Sequence, residues 1–146
     1  MTDALIRPMV ADDRAFVVSG WSSSYRTSRD PIVPMAMWAD TMHAIIDHYL
    51  ARPSTRVIIA HRDTLWGFLA YDLNYVLYCY VAQPFRKGGV ARALFDAAGI
   101  DPGGRFGYLC RTRASWELQQ AGKIPDARYD PFRARYEPEI ERKRAS

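Results

Sequence analysis

Tyr80-Val81-Ala82-Gln83-Pro84-Phe85-Arg86-Lys87-Gly88-Gly89-Val90-Ala91-Arg92-Ala93-Leu94-Phe95 changes backbone state within one short stretch. An aromatic, β-branched run reads as a strand and stops at Pro84. A basic pair and two glycines follow, and an apolar helical pattern opens at Val90. Glycines let the main chain approach a ligand that a Cβ would repel. A helix starting there aims its unpaired N–H groups and the positive end of its dipole at whatever lies ahead, an arrangement suited to a phosphate. The stretch lacks the Gly-Lys-Ser/Thr ending of a Walker loop and the Gly-x-Gly-x-x-Gly of dinucleotide-binding folds. A plain strand-to-helix turn, with Arg86 and Lys87 in solvent, would use the same residues, so the flanks have to decide.

Upstream, Arg56-Val57-Ile58-Ile59-Ala60, Leu65 to Leu73 and Tyr75 to Val81 are strand-like runs separated by short polar turns, an antiparallel meander. Gly67 inside its run predicts a bulge or a close backbone approach. Before them, Met35, Trp38, Ala39, Met42, Ile45, Ile46 and Tyr49 recur at steps of three and four, one face of a helix opened by Pro34. Leu5 to Met9 reads as a first strand, with Pro8 suggesting an edge. Asp12 and Asp13 offer N-cap oxygens to a helix running to about Gly20. The hydroxyl-rich segment from Trp21 to Pro31 reads as an interhelix loop.

Downstream, Val90, Leu94 and Ala97 or Ala98 share a face of a helix that Gly99 closes. Phe106 to Cys110 reads as a strand parallel to the one before the glycines, because a helix intervenes. Ala114 to Ala121 reads as a short helix closed by Gly122. A last strand is expected within the segment 129–136. His43 and His48 are five apart, not at the i,i+4 spacing of a metal pair, and read as surface residues.

With 146 residues, 49% of them hydrophobic, the chain reads as one domain with material for a sizeable core. No apolar run is long enough to span a bilayer, and no secretory leader is visible at Met1, so a cytoplasmic protein is expected, with no membrane partner. Cys79 and Cys110 show no zinc spacing and read as reduced core thiols, with Cys110 also a candidate for lining a cleft. The net charge of +4 includes a basic tail from about residue 137, with Arg142, Lys143 and Arg144 beyond Arg133 and Arg135. Such a tail is either a solvated end or a contact for phosphates or nucleic acid.

The hexapeptide Arg86-Lys87-Gly88-Gly89-Val90-Ala91 resembles the Arg/Gln-x-x-Gly-x-Gly/Ala signature of the GCN5-related N-acetyltransferase (GNAT) superfamily. The order β-α-α-β-β-β-α-β-α-β also matches that family, over about residues 4 to 136. The resemblance implies an α/β (α+β) mixed sheet with a splayed parallel strand pair. It implies acetyl-CoA as co-substrate, with Arg86, Lys87, Gly88, Gly89, Val90 and Ala91 holding the pyrophosphate and Val81 offering main-chain groups to the pantetheine and acetyl carbonyl. Transfer of the acetyl group to a primary amine of a small molecule or protein follows as the expected activity. Trp21, Tyr25 and Arg26 fall where the family binds its acceptor, and an aromatic–arginine set can stack on or grip a substrate. The pairing of Trp-x-x-x-Tyr-Arg near the start with Tyr-Asp-Pro-Phe near the end is similar to small phage-encoded GNAT-like proteins.

The sequence also departs from the family pattern. The tyrosine that many members place four residues before a Gly-Phe pair is Leu118 here, Lys123 replaces the phenylalanine, and Arg111 and Thr112 stand where an asparagine is usual. Tyr129 and Asp72 are therefore the candidate proton donor and base, with Tyr136, and with Tyr78 and Tyr80, which alternate with Cys79, as other donors. Two alternatives stay open: a nucleic-acid-modifying member of the fold, and a non-catalytic phage-associated protein that kept the fold. A homodimer is compatible with either.

Overall fold

Three strand-forming runs separated by two short polar turns build the centre of the sheet. In the computed structural model, which describes residues 2–26, 35–110 and 113–131, they are Arg56–His61 (β2), Leu65–Asp72 (β3) and Tyr75–Val81 (β4). Leu5–Pro8 (β1) pairs antiparallel with β2 at the sheet edge, where a proline needs no ladder partner for its missing N–H. Beyond β4 the helix Val90–Ala98 (α3) carries the chain back, so Phe106–Tyr108 (β5) pairs parallel with β4. The helix Arg113–Gln120 (α4) then returns it to Ala127–Tyr129 (β6), parallel to β5. The sheet order is β1-β2-β3-β4-β5-β6. The mixed α/β sheet expected from the sequence is present, with the expected order of elements.

Each sheet face carries its own core. Val17 and Trp21 of the helix Arg14–Arg26 (α1) and Ile46 of the helix Met35–Ala51 (α2) pack on Ile59, Phe68, Ala70, Leu77 and Tyr78. Val90 and Leu94 of α3 pack on the opposite face, against Ala60, Leu69, Val76, Phe106 and Tyr108. Strand alternation generates this division, except at one point. The β3–β4 register shifts between Ala70 and Tyr71, leaving Leu77 as the extra residue of a bulge. Leu77 and Tyr78 consequently both face α1 and α2, and the phase of the strand is reversed beyond them.

Two boundaries differ from the sequence reading. The first helix does not stop at Gly20 but continues to Arg26. Gly20 is a contact point: a Cβ there would come within 2.7 Å of Tyr80 Cδ1 and 3.0 Å of Phe68 Cε1. The packing of the next residue, Trp21, outweighs the weak helix propensity of glycine. Ser22 and Ser23 return their hydroxyls to the carbonyls of Ser19 and Gly20 instead of opening a loop. Among the described residues the last strand is β6, ending at Tyr129. Residues 132–136, expected to belong to it, and the basic tail lie outside the described residues. So do Arg111, Thr112 and Tyr136.

No helix among the described residues is long and apolar enough to cross a membrane. No group of three His, Cys, Asp or Glu side chains among them is placed to hold a metal ion.

Candidate active site

Among the described residues, pairing between β4 and β5 covers Tyr75–Gly107 and Val76–Tyr108 and is closed by the Leu109 N–H on the Val76 carbonyl at 2.9 Å. From Leu77 to Val81, β4 continues without β5 beside it, so the two parallel strands part. Antiparallel ladders direct alternate residues to opposite edges. Ala82 donates its N–H to Trp66 of β3 at 2.8 Å. By alternation, Tyr78 and Tyr80 also turn their main-chain groups to β3, and Cys79 and Val81 turn theirs into the gap. An extended ligand with amide groups would find a strand edge there.

The gap opens onto the glycine turn. A short 3-10 turn, Gln83–Phe85, ends β4 and is anchored by the ring of Phe85, which stacks on Trp66 at 4.7 Å. Gly67 lies opposite Val81, and a Cβ at that position would strike the Tyr80 carbonyl oxygen, which is the close approach its sequence position suggests. Arg86, Lys87, Gly88 and Gly89 are all exposed. Lys87 has φ 66° and Gly89 φ 83°, both left-handed. A lysine in that region carries strain that the surrounding chain has to hold. Gly89 is the N-cap of α3 and accepts the first helical bond, from Ala93, at 3.0 Å. Among the described residues, the main-chain N–H groups from Lys87 to Arg92 have no hydrogen-bond partner. They line one exposed turn at the positive end of a helix dipole, with two cationic side chains beside them. Val90 buries its side chain while its N–H remains on this turn. The six residues Arg86 to Ala91 and Val81 are thus brought to one mouth.

The side chain of Arg86 folds back over this mouth, with Nε donating to the Val81 carbonyl at 2.8 Å. On the α1 side of the gap lie Tyr80 and Phe16, rings 5.9 Å apart, with Tyr80 against Gly20. Cys110, partly buried just past β5, packs on the same core. Cys79 faces the α3 side, and burial pushes its thiol up to about 12, so it is a neutral thiol at physiological pH. Burial also raises the Tyr78 phenol, with Cys110, Cys79 and Tyr80 adding to the rise and Arg86 opposing it.

The remaining sequence candidates are not brought together. Trp21, expected in an acceptor loop, is fully buried in α1 between two parallel rings, Tyr78 at 5.5 Å and Tyr49 at 6.0 Å. It is a core residue, because the helix turns it under the sheet. Tyr25 and Arg26 sit in the last turn of α1, and their side chains lie outside the described residues. Asp72, expected as a base, ends β3 beside the hairpin tip, opposite Tyr75, while the turn adjoins the other end of that hairpin. About 20 Å of strand separates them. Asp72 is buried there, 3.7 Å from the guanidinium of Arg52. Tyr129 ends β6, with β5 between it and β4, and its ring lies 5.7 Å from Tyr108. Asp72 lies a strand length away from the anion turn, and Tyr129 lies across β5 from β4. The bulge at Leu77, the Arg86–Val81 bond and the Gly20–Tyr80 contact were missed by sequence reasoning. Only Gly20 left a signal, as a glycine inside an otherwise helical stretch.

No protein-family model and no curated protein matches the sequence. Solved structures do resemble it. A GCN5-related N-acetyltransferase from Rhodopseudomonas palustris is 19% identical over 68% of this chain and 65% of its own, with a TM-score of 0.51. The likeness thus spans less than two thirds of that protein's length. A ribosomal-protein-alanine N-acetyltransferase from Brucella melitensis biovar Abortus 2308 gives 16% identity over 90% of this chain and 86% of its own, with a TM-score of 0.48. A PaiA N-acetyltransferase from Thermoplasma acidophilum, solved with coenzyme A, gives 15% over 67% and 70%, with a TM-score of 0.45. At the first of these likenesses the shared property is the fold, and the fold of this chain is that of the GNAT acetyltransferases.

Proposed function

We propose that the chain is an acyltransferase that takes its acyl group from acetyl-coenzyme A and delivers it to a primary amine of a small molecule or protein. The observation that carries this reading is the continuity of two features: the edge of β4 at Cys79 and Val81, which β5 does not pair with, runs directly into the exposed turn of unpartnered N–H groups from Lys87 to Arg92. One suits an extended arm with amide groups and the other suits a diphosphate, and coenzyme A joins those two chemistries in that order. When bound, the coenzyme supplies a thioester carbonyl as the acyl donor.

The protein's part is positioning and polarisation. Main-chain N–H groups of Cys79 and Val81 are hydrogen-bond donors for a carbonyl oxygen that becomes negative as an amine attacks. The walls formed by Tyr80, Phe16 and the α1 face exclude water and hold the amine against the gap, which converts a bimolecular encounter into a local one. Tyr25 and Arg26, in the last turn of α1, are the acceptor-side residues of this reading, and Trp21 is not. The amine must lose a proton before it attacks. Asp72, paired with Arg52 at the far end of the hairpin, is not the group that takes it.

Calorimetric titration with acetyl-coenzyme A tests the reading. Wild type is expected to bind, and Gly89→Trp to lose binding, because the left-handed φ of residue 89 disfavours tryptophan and a large side chain on the exposed turn would cover its N–H groups. Absence of binding by wild type at millimolar ligand would overturn the proposal. Release of free thiol across a panel of amines then identifies the acceptor.

A further inference from the structure

Of the main-chain groups that Cys79 and Val81 turn into the gap, one is already engaged: the Val81 carbonyl accepts from Arg86 Nε at 2.8 Å. That carbonyl is the last acceptor of β4 before the anion turn, so it stands where the two halves of the site meet. Arg86 is exposed and belongs to neither core cluster, so its side chain is free to leave without disturbing a core contact. Its guanidinium is permanently charged and carries five N–H donors, and a diphosphate is a stronger partner for it than a neutral carbonyl. The N–H row that would hold such an anion, from Lys87 to Arg92, begins at the next residue.

We propose that Arg86 is a strap across the amide-binding edge of β4, released by the phosphate half of the ligand. Without an anion on the turn, Arg86 competes with the ligand's amide arm for the Val81 carbonyl. Once a diphosphate is bound, Arg86 moves to it and the edge opens. Phosphate recognition is thereby coupled to docking of the arm, and fragments lacking the anion are disfavoured. This inference rests on the coenzyme reading above.

The test titrates the intact chain with pantetheine, alone and in the presence of inorganic pyrophosphate, followed by NMR. One hydrogen bond of this kind corresponds to an effect of about fivefold. In wild type, pyrophosphate is expected to tighten pantetheine binding by about that factor. Arg86→Ala is expected to bind pantetheine tighter by a similar factor without pyrophosphate, and to gain nothing further when it is added. If either the tighter binding of Arg86→Ala or the pyrophosphate gain in wild type is missing while wild type still binds coenzyme A, the strap is refuted and the coenzyme reading stands. If wild type binds neither coenzyme A nor pantetheine, both fall together.

Discussion

The ring of Tyr75 lies across Gly107, and a Cβ on residue 107 would come within 2.9 Å of Tyr75 Cδ2. The Tyr75 side chain therefore passes from β4 over β5, and its hydroxyl donates to the Asp130 carbonyl just beyond β6 at 2.6 Å. This brace ties three parallel strands together at the closed end of the gap, next to the residue pairs Tyr75–Gly107 and Val76–Tyr108 that join β4 to β5. Gly107→Ala is expected to destabilise the fold by about 1–3 kcal/mol, because a rigid ring must shift. Tyr75→Phe keeps the ring and loses the bond, at a cost of about 1–2 kcal/mol. Urea denaturation measures both, and a neutral Gly107→Ala would show that the ring has room to yield.

Trp21 separates two readings of α1. As a fully buried ring held between Tyr49 and Tyr78, its truncation to alanine should cost about 3–5 kcal/mol of stability. As an acceptor-binding residue it would change KM and leave the melting temperature alone. Thermal unfolding beside steady-state kinetics on Trp21→Ala and Trp21→Phe tells them apart, and an undiminished Tm in the alanine variant would return Trp21 to the surface.

The carboxylate of Asp13, 3% exposed, accepts from the Arg7 guanidinium at 2.6 and 2.9 Å and from the Val10 N–H at 2.9 Å. The bonds from Arg7, first, hold its pKa below the usual carboxylate range, against the opposing effect of burial. A depressed folded-state pKa means that the unfolded chain takes up a proton first. The stabilisation is therefore complete above the unfolded value of about 3.9 and drains away as pH falls from there through the folded value. At neutral pH Asp13→Asn should cost on the order of 2–3 kcal/mol. The gap between the two proteins should narrow with acid below about pH 4 in denaturation series. A gap that stays constant to the lowest pH would contradict the ionic origin.

Leu73, at the β3–β4 tip, combines φ 54° with 77% exposure. A γ-branched residue gains nothing from either condition, whereas asparagine tolerates the left-handed region. Leu73→Asn is expected to raise stability by about 0.5–1 kcal/mol, read as a higher urea midpoint at unchanged slope. A lower midpoint would show that the leucine is held by contacts on the hairpin.

Residue pattern alone determined the order of elements, the two helix stops at Gly99 and Gly122, the strand-to-helix turn at residues 86–91 and the close approach at Gly67. Each depends on local chemistry: glycine adopts positive φ, β-branched runs extend, and an apolar period of three and four selects a helix face. Gly99 and Gly122 adopt φ 74° and 71° as their positions require. Tertiary structure decided the rest, because it depends on which side chains meet across the fold. Gly20 looked like a stop, yet packing under Tyr80 and Phe68 carried the helix past it and buried Trp21. The bulge at Leu77 reversed the phase of β4 and so chose Cys79 and Val81, with no local residue to announce it. Asp72 and Val81 are close in sequence but lie at opposite ends of a hairpin, since antiparallel pairing sends the strands apart before it brings the gap and the anion turn together.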